Sequence, residues 1–149
     1  MELRPFQSVD LPDVLALCEA LGWRSLPADP ERAGRALTAP GVTTLAARQG
    51  RALAGFCQLQ SDGEIQAHLS LIAVDPAFRG RGLGRELIRE ALKLAGGLRI
   101  DLVTDSAEAF YRALPSIGMT GFRLYPFYTG PDRDRSDVRW EDGRKVNDR

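Results

Sequence analysis

Three alternating glycines and two arginines stand together between a predicted strand and a predicted helix, in Arg79-Gly80-Arg81-Gly82-Leu83-Gly84. Glycine lets the backbone approach a ligand closely, and a helix N-terminus offers free N–H groups and the positive end of the helix dipole. The segment therefore predicts a cradle for an anion, and phosphate suits it best. A plain tight connection between strand and helix is the alternative.

Two familiar nucleotide-binding motifs do not match this turn. A P-loop requires G-x-x-x-x-G-K-[ST], and no Lys-Ser or Lys-Thr follows these glycines. A dinucleotide-binding turn requires G-x-G-x-x-G, and its third glycine would fall on Arg85. The strands before the turn are also joined by hairpins, so the βαβ units of a dinucleotide-binding sheet are not predicted.

The composition is that of a soluble globular protein with the size of one domain. The chain has 149 residues, of which 44% are hydrophobic and 27% are charged, so it can bury a core without disulfide or metal staples. Its 20 basic and 20 acidic residues leave no net charge, which disfavours nucleic-acid binding. Cys18, Cys57 and His68 lack the clustered spacing of a zinc site, and no metal is predicted.

The compartment expected from the sequence is the cytoplasm. No apolar run is long enough for a transmembrane helix, and the N-terminus does not resemble a secretory signal. Two isolated cysteines in apolar surroundings indicate buried free thiols in a reducing compartment.

The first part of the chain predicts a strand, two helices and three hairpin-linked strands. The strand covers Leu3 to Gln7, and the first helix begins at an N-cap, Asp10, with Asp13 completing a capping box. Asp29 caps the second helix, with Pro30 at its first position. Tight turns then join three antiparallel strands, namely Val42–Ala47, Ala52–Gln60 and Ile65–Val74.

The second part predicts a helix from about Gly82 to Ala95 and a strand that it places parallel to the preceding one. A capping box of Asp105 and Glu108 opens a further helix, and a last core strand is expected at Met119–Tyr125. The fold class is therefore α/β: a single-domain mixed sheet, antiparallel in its N-terminal half. We expect the domain to cover 1–130 and a charged tail, mobile or forming a weak last strand, to cover 131–149.

Two motifs resemble those of the GNAT superfamily of acyl-CoA-dependent N-acetyltransferases. Val74-Asp75-Pro76 followed by the 79–84 turn is similar to its acetyl-CoA pyrophosphate motif, [RQ]-x-x-G-x-[GA]. Ala107-x-x-Phe110-Tyr111 is similar to its second motif, and the element order agrees over roughly residues 2 to 125. The stretch between Tyr111 and Gly118 is longer than in the family pattern, and only Val138 and Trp140 suit a final strand.

The resemblance implies a splayed pair of parallel strands around the CoA-binding helix. The acyl-pantetheine arm of acetyl-CoA would pair with backbone groups at the end of one strand, where the Val74 N–H would stabilise the oxyanion. The pyrophosphate would lie on the glycine turn. The residues implied for binding this co-substrate are Ile72, Ala73, Val74, Arg79, Gly80, Arg81, Gly82, Leu83, Gly84, Arg85, Thr104 and Ser106.

Acyl transfer to an amine also needs a base and an acid. Tyr111 is the candidate acid, because a tyrosine is ordinarily protonated at neutral pH. His68 is the candidate base, at a strand position where the family places a carboxylate; it lies six residues before Val74, so both side chains are expected on one face. Glu64, expected on the same strand face as His68, is the second candidate base, and water is the third.

The acceptor would lie between Trp23 on one side and Tyr125, with Phe127 and Tyr128, on the other. The expected function is transfer of an acetyl group from acetyl-CoA to a primary amine of a small molecule or peptide, directly in a ternary complex, because neither cysteine has a histidine partner. A homodimer through sheet edges is left open.

Two other functions compete with this one. A catalytically silent acyl-CoA-binding regulatory domain would keep the glycine turn and lose turnover, although the presence of Tyr111 and His68 argues against it. An RGG-like RNA-binding element is disfavoured by the zero net charge and by the lack of aromatic residues interleaved in the 79–84 turn.

Overall fold

A mixed five-stranded sheet organises the first of two compact units, Met1–Ser116 and Ile117–Arg149. The computed structural model describes residues 1–124 and two short strands at 139–141 and 144–146. The strands of the sheet are β1 (Glu2–Pro5), β2 (Val42–Gln49), β3 (Ala52–Ser61), β4 (Gln66–Val74) and β5 (Arg99–Asp101). The helices are α1 (Leu11–Ala20), α2 (Pro30–Leu37), α3 (Leu83–Ala95) and α4 (Glu108–Arg112).

The strands lie in the order β1-β2-β3-β4-β5, which is also their order in the chain. The first four are antiparallel neighbours because short turns join β2 to β3 and β3 to β4. β5 is parallel to β4, since α3 carries the chain back across the sheet between them. The α/β class predicted from the sequence, antiparallel first and parallel around one helix, is confirmed.

Each face of the sheet buries one apolar cluster. We call the set under α3 the α3-side cluster; its buried members are Leu45, Ala47, Ala54, Cys57, Leu59, Leu69, Leu83, Leu87 and Ala91. The set under the first two helices is the α1/α2-side cluster, formed by Val14, Leu17, Cys18, Leu37, Ala46, Leu53, Phe56 and Ala73. The two cysteines are free and fully buried, as predicted, and burial raises the pKa of Cys18 to about 11 and of Cys57 to about 12.

The two predicted helix caps have different outcomes. The Asp29 carboxylate accepts a hydrogen bond from the Arg32 N–H at 3.0 Å, so the prediction for α2 is confirmed. Asp10 precedes α1, but its side chain makes no capping bond to that helix, and Asp13 forms no capping box with it. The Asp10 carboxylate instead accepts from the Gln7 N–H at 2.8 Å.

Asp10 is the centre of a buried ion cluster that joins β1, α1 and β2. Arg4 donates to both of its carboxylate oxygens, at 2.7 and 2.8 Å, and Arg48 Nε donates at 2.8 Å. Arg48 also reaches Asp13 at 2.6 Å. Although burial alone would raise it, these hydrogen bonds lower the pKa of Asp10 from its ordinary 3.8 to about 2.

The C-terminal predictions fare less well. β5 and α4 are shorter than expected, and the N–H of Ala107 binds the Thr104 hydroxyl at 3.0 Å where an Asp105 cap was predicted. The strand predicted at Met119–Tyr125 is wrong for its described part, because residues 119–124 are neither helix nor strand. Gly121 falls inside that segment, and glycine disfavours strands.

The described part of the second unit contains a small antiparallel pair of strands, β6 (Arg139–Glu141) and β7 (Arg144–Val146). The domain boundary predicted after residue 130 stays a prediction. Among the described residues, no helix is long and apolar enough to cross a bilayer.

Replacement of Asp10 by Asn tests the ion cluster. The variant removes the charge that Arg4 and Arg48 share, so the free energy of unfolding at neutral pH should fall by on the order of 2 kcal/mol. Because the folded pKa of Asp10 lies below the unfolded value, the wild type should lose this contribution as the pH falls from about 4 to about 2. Urea unfolding at several pH values measures both effects.

Glu31→Gln is the matched control. Glu31 approaches Arg35 at 4.0 Å on the surface, where ion pairs contribute little, and its loss should change the unfolding free energy by less than about 0.5 kcal/mol. Equal stability of Asp10→Asn and the wild type at neutral pH would show that the cluster does not stabilise the fold.

Candidate functional site

The two parallel strands separate soon after they meet. β4 pairs with β5 at three positions only, Gln66 with Arg99, Ala67 with Ile100 and His68 with Asp101. β4 continues to Val74, and its other edge stays paired with β3 as far as Gly55. Along Leu69–Val74, the backbone groups on the β5 side therefore have no strand partner in the part of the chain that the structure describes. We call this gap the β4–β5 opening, and it agrees with the splayed pair that the family resemblance implies.

A bulge interrupts β4 at the closed end of this opening. Leu59 pairs with Leu69 and Gln58 pairs with Leu71, which leaves Ser70 without an opposite residue. Leu69 belongs to the α3-side cluster, whereas Leu71 packs against the α1/α2-side cluster, although they are two residues apart. The extra residue therefore reverses the alternation of side chains along the strand.

This reversal corrects one step of the sequence reasoning. Val74 packs against the α3-side cluster, as does Leu69. His68 immediately precedes Leu69 in the strand, so its side chain points to the other face, toward α1 and α2. The expectation that His68 and Val74 share one face is wrong, because it assumed an uninterrupted strand.

The glycine turn leads from the end of β4 into α3 and forms an open backbone cradle. Gly80 and Gly82 have φ values of +73° and +81°, which residues other than glycine rarely adopt. Nothing lies within 4 Å of the position that a Cβ would take at either residue. Gly82 precedes α3 without any side-chain cap, so the first N–H groups of the helix need an outside partner. This backbone fits a phosphate group.

Leu83 and Gly84 have structural tasks within the same segment. The Leu83 side chain is buried in the α3-side cluster, so only its backbone is available to a ligand. A Cβ on Gly84 would lie 3.1 Å from Cζ of Phe110, so this glycine lets α4 pack closely on α3. Gly84 therefore positions α4.

The two arginines of the segment, and Arg85 directly after it, contact other parts of the protein. Arg79 Nε donates to the carbonyl of Val74 at 3.0 Å, and the guanidinium of Arg81 lies 5.9 Å from the ring centroid of Phe78. Arg85 donates to the carbonyl of Ala113 at 3.3 Å. Arg79 thus ties the turn to the end of β4, and Arg85 ties α3 to the end of α4.

Tyr111 is held on the α3 face of the sheet. Its ring packs against the α3-side cluster and meets the Phe110 ring edge to face, with centroids 5.0 Å apart. Burial raises the pKa of Tyr111 above its ordinary value of 10, with a smaller contribution from Cys57. The phenol therefore keeps its proton at neutral pH, as a general acid must.

His68 lies at the other face and lines an open pocket of about 440 Å³. The pocket lies where β2 begins, β3 ends and β4 begins; its lining also includes Pro40, Gly41, Val42, Gln60, Ser61, Asp62 and Gln66. Glu64 lies in the hairpin turn before β4, with its N–H bound to Asp62 at 2.8 Å. The expectation that Glu64 shares a strand face with His68 is wrong, because Glu64 precedes the strand.

The remaining predicted residues are scattered. The Thr104 hydroxyl caps the segment before α4, and Ser106 is exposed beside it. Trp23 packs against the α1/α2-side cluster, which Leu71 also borders. Tyr125, together with Phe127 and Tyr128, lies outside the described residues.

The structure places Tyr111 and His68 on opposite faces of β4. The opening passes between two strands, so a ligand inside it is reachable from both faces. The backbone of Ile72, Ala73 and Val74 borders the opening, and the glycine cradle follows at its wide end.

Sequence reasoning missed Ser70 and the anchoring roles of Gly84 and Arg85. For Ser70, the available signal was a single serine in the apolar run from Leu69 to Val74.

Comparison with known proteins gives a consistent result. Residues 10–114 match the model of the acetyltransferase (GNAT) family. The N-alpha-acetyltransferase RimI of Mycobacterium tuberculosis is 35% identical over 95 residues, which cover 59% of this chain and 60% of that protein. An uncharacterized N-acetyltransferase, ycf52 of Porphyra purpurea, is 25% identical over 80% of this chain and 74% of its own length. The chain thus spans less than two thirds of RimI.

Solved structures share the fold at low identity. An aminoglycoside antibiotic 6'-N-acetyltransferase of Acinetobacter haemolyticus superposes with a TM-score of 0.70 at 19% identity, covering 83% of this chain and 96% of that one. A Trypanosoma brucei acetyltransferase gives 0.65 at 22% identity, covering 83% and 97%. At these identities the likeness shows the fold alone.

Replacement of Gly82 by Asp tests the cradle. The carboxylate would place a negative charge where the phosphates of CoA are expected, so CoA affinity should fall by at least about 10-fold. CoA should raise the melting temperature of the wild type, because a ligand that binds only the folded state stabilises it, and this rise should largely disappear in the variant. Thermal unfolding with and without CoA measures this.

Gly50→Asp provides the control. Gly50 lies in the turn between β2 and β3 with a φ of +61° and open space around it, so it imposes similar backbone strain away from the cradle. Its CoA response should equal that of the wild type. Undiminished CoA binding by folded Gly82→Asp would remove the cradle from the site.

Proposed function

This chain belongs to the acetyltransferase (GNAT) family, and we propose that it transfers an acetyl group from acetyl-CoA to a primary amine of a small molecule or a peptide. One observation carries the proposal: β4 leaves β5 after three paired residues, and the glycine cradle follows at the wide end of the gap. A long ligand with a phosphate group at one end suits that arrangement.

The residues proposed to hold acetyl-CoA follow from this geometry. The unpaired backbone of Ile72, Ala73 and Val74 would bind the amide groups of the pantetheine arm as a neighbouring strand does. The N–H groups from Gly80 to Arg85 would bind the pyrophosphate. Acetyl-CoA supplies an acyl group already activated as a thioester, so the chain needs only to bind, orient and move protons.

Tyr111 is the proposed general acid. When the C–S bond breaks, the electron pair goes to sulfur, and the phenol donates its proton there. The half-buried ring, the raised pKa and the anchoring of α4 by Gly84 and Arg85 all support this role. Bulk water then returns the proton to the phenolate.

His68 is the proposed base on the opposite side of the opening. The imidazole accepts the proton that the amine loses as the C–N bond forms. Its position in the pocket on the α1/α2 face supports entry of the amine from that side of the sheet, where Trp23 also packs. Glu64 and water are the alternatives; Glu64 lies in the turn before β4, whereas His68 lies within the strand.

A panel of amines with acetyl-CoA tests the function. The panel should include peptides with a free α-amine, since the RimI relative is named an N-alpha-acetyltransferase, together with a polyamine and an aminoglycoside. Release of free thiol that depends on one of these amines, with the acetylated product seen by mass spectrometry, would support the proposal. CoA binding without turnover on any amine would favour the silent regulatory domain instead.

Tyr111→Phe tests the acid. Phenylalanine keeps the ring and most of its packing, so the melting temperature and CoA affinity should stay nearly unchanged. The turnover number should fall by about 10- to 1,000-fold, because the departing thiolate loses its proton donor. Steady-state kinetics and thermal unfolding give both values; wild-type turnover in this variant would leave water as the proton source.

His68→Ala tests the base. The turnover number should fall by about 10-fold or more, with CoA binding retained. Glu64→Gln, measured alongside, should keep the turnover number of the wild type. Full activity in folded His68→Ala would assign the histidine a structural role.

A further inference from the structure

One buried hydroxyl stands out within the described residues. Ser70 Oγ has essentially no exposed surface and no hydrogen-bond partner, and it is the one buried side-chain polar atom there in that condition. A buried polar group without a partner destabilises the folded state by about 1–3 kcal/mol, so such groups are rare. Nearby buried groups follow the rule: Thr44 binds the Leu37 carbonyl at 2.8 Å and Gln58 binds the Ala36 carbonyl at 2.9 Å.

The position of Ser70 indicates where its missing partner belongs. It is the bulge residue, two places beyond the last β4–β5 pair at His68, and hence at the closed end of the β4–β5 opening. Val74, beside the cradle, lies four residue positions further along the extended strand, which is about 13 Å. A ligand that places its phosphate on the cradle and its chain along the opening brings its far end to Ser70.

The bulge places Ser70 at the point where the strand changes face. Leu69 before it packs against the α3-side cluster and Leu71 after it packs on the opposite side, so alternation along the strand assigns Ser70 to neither face. His68, two residues earlier, lines the pocket on the α1/α2 face. The residue as a whole is only partly buried, and rotation about one side-chain bond moves the hydroxyl between three staggered positions.

We propose that Ser70 binds the acceptor amine, its hydroxyl oxygen accepting a hydrogen bond from one N–H of the attacking nitrogen. This inference rests on the proposed function. A neutral primary amine has two N–H groups and one lone pair, so bonds to Ser70 and His68 would aim the lone pair at the acyl carbon. The C–N bond forms and the C–S bond breaks. The proton of the amine goes to His68, and the thiolate takes a proton from Tyr111. Ser70 neither gains nor loses a proton.

Ser70→Ala separates this role from a structural one. Removal of an unpartnered hydroxyl should leave the melting temperature unchanged or raise it, whereas removal of a functional hydroxyl should lower kcat/KM for the amine by about 10-fold. Affinity for acetyl-CoA and its slow hydrolysis without amine should be unaffected, because water needs no oriented nitrogen. The best amine of the panel above serves as the probe.

Two further variants complete the design. Thr44→Val removes a buried hydroxyl that has a partner, and should lower the melting temperature while keeping kcat/KM for the amine. Ser70→Thr keeps the hydroxyl on a side chain suited to a strand, and should retain most of the activity. In the dead-end complex of CoA with the amine, the amine should raise the melting temperature of the wild type more than that of Ser70→Ala.

The outcomes are distinguishable. Wild-type kcat/KM in Ser70→Ala, with turnover by the parent protein intact, would overturn the inference and leave the proposed function standing. An equal loss in amine transfer and in acetyl-CoA hydrolysis would move the hydroxyl to the acyl carbonyl and would also overturn it. A parent protein that acetylates no amine would end both the proposed function and the inference.

Discussion

β4 is hydrogen-bonded to β3 along nearly all of its length but to β5 at three residues only. The arrangement of the site follows from this difference in the length of the two pairings. The long antiparallel pairing holds β4 in the sheet on both sides of its bulge. The short parallel pairing fixes where the gap begins. Because α3 starts just beyond the end of β4, the same strand brings the glycine cradle to the gap. Any ligand that satisfies the unpaired edge is thereby aligned with the helix N-terminus.

The two side chains proposed as acid and base, Tyr111 and His68, lie on opposite faces of β4, and separate parts of the protein support them. Tyr111 depends on α4, a short helix held by the Phe110 contact on Gly84 and the Arg85 bond to Ala113. His68 depends on the strand itself and needs no helix to place it. In the proposed mechanism, each of the two side chains therefore acts on the ligand from its own face of the strand.

The sequence predicted most of the scaffold, because hairpin turns, a strongly periodic helix and the Asp29 cap are local signals. The glycine motif likewise located the cradle. The predictions that failed concern tertiary contacts and strand register. Asp10 has the sequence context of a helix cap, yet Arg4 on the neighbouring strand β1 and Arg48, 38 residues further along the chain, bind it instead. The bulge at Ser70 depends on register with β3, so counting alternate residues from Val74 placed His68 on the wrong face. Glu64 was placed on the face of the strand although the predicted strand began one residue later, at Ile65.

The unpaired stretch of β4 is, in effect, a sheet edge that lies inside the fold. Exposed edges of sheets invite strands of other molecules and so promote aggregation. Here the edge runs into a gap that three paired residues close at one end. A foreign strand cannot continue along β4 past that point, so its ladder of hydrogen bonds would stop after a few residues. The shape that admits a slender flexible chain thus protects the protein from the usual hazard of an open edge.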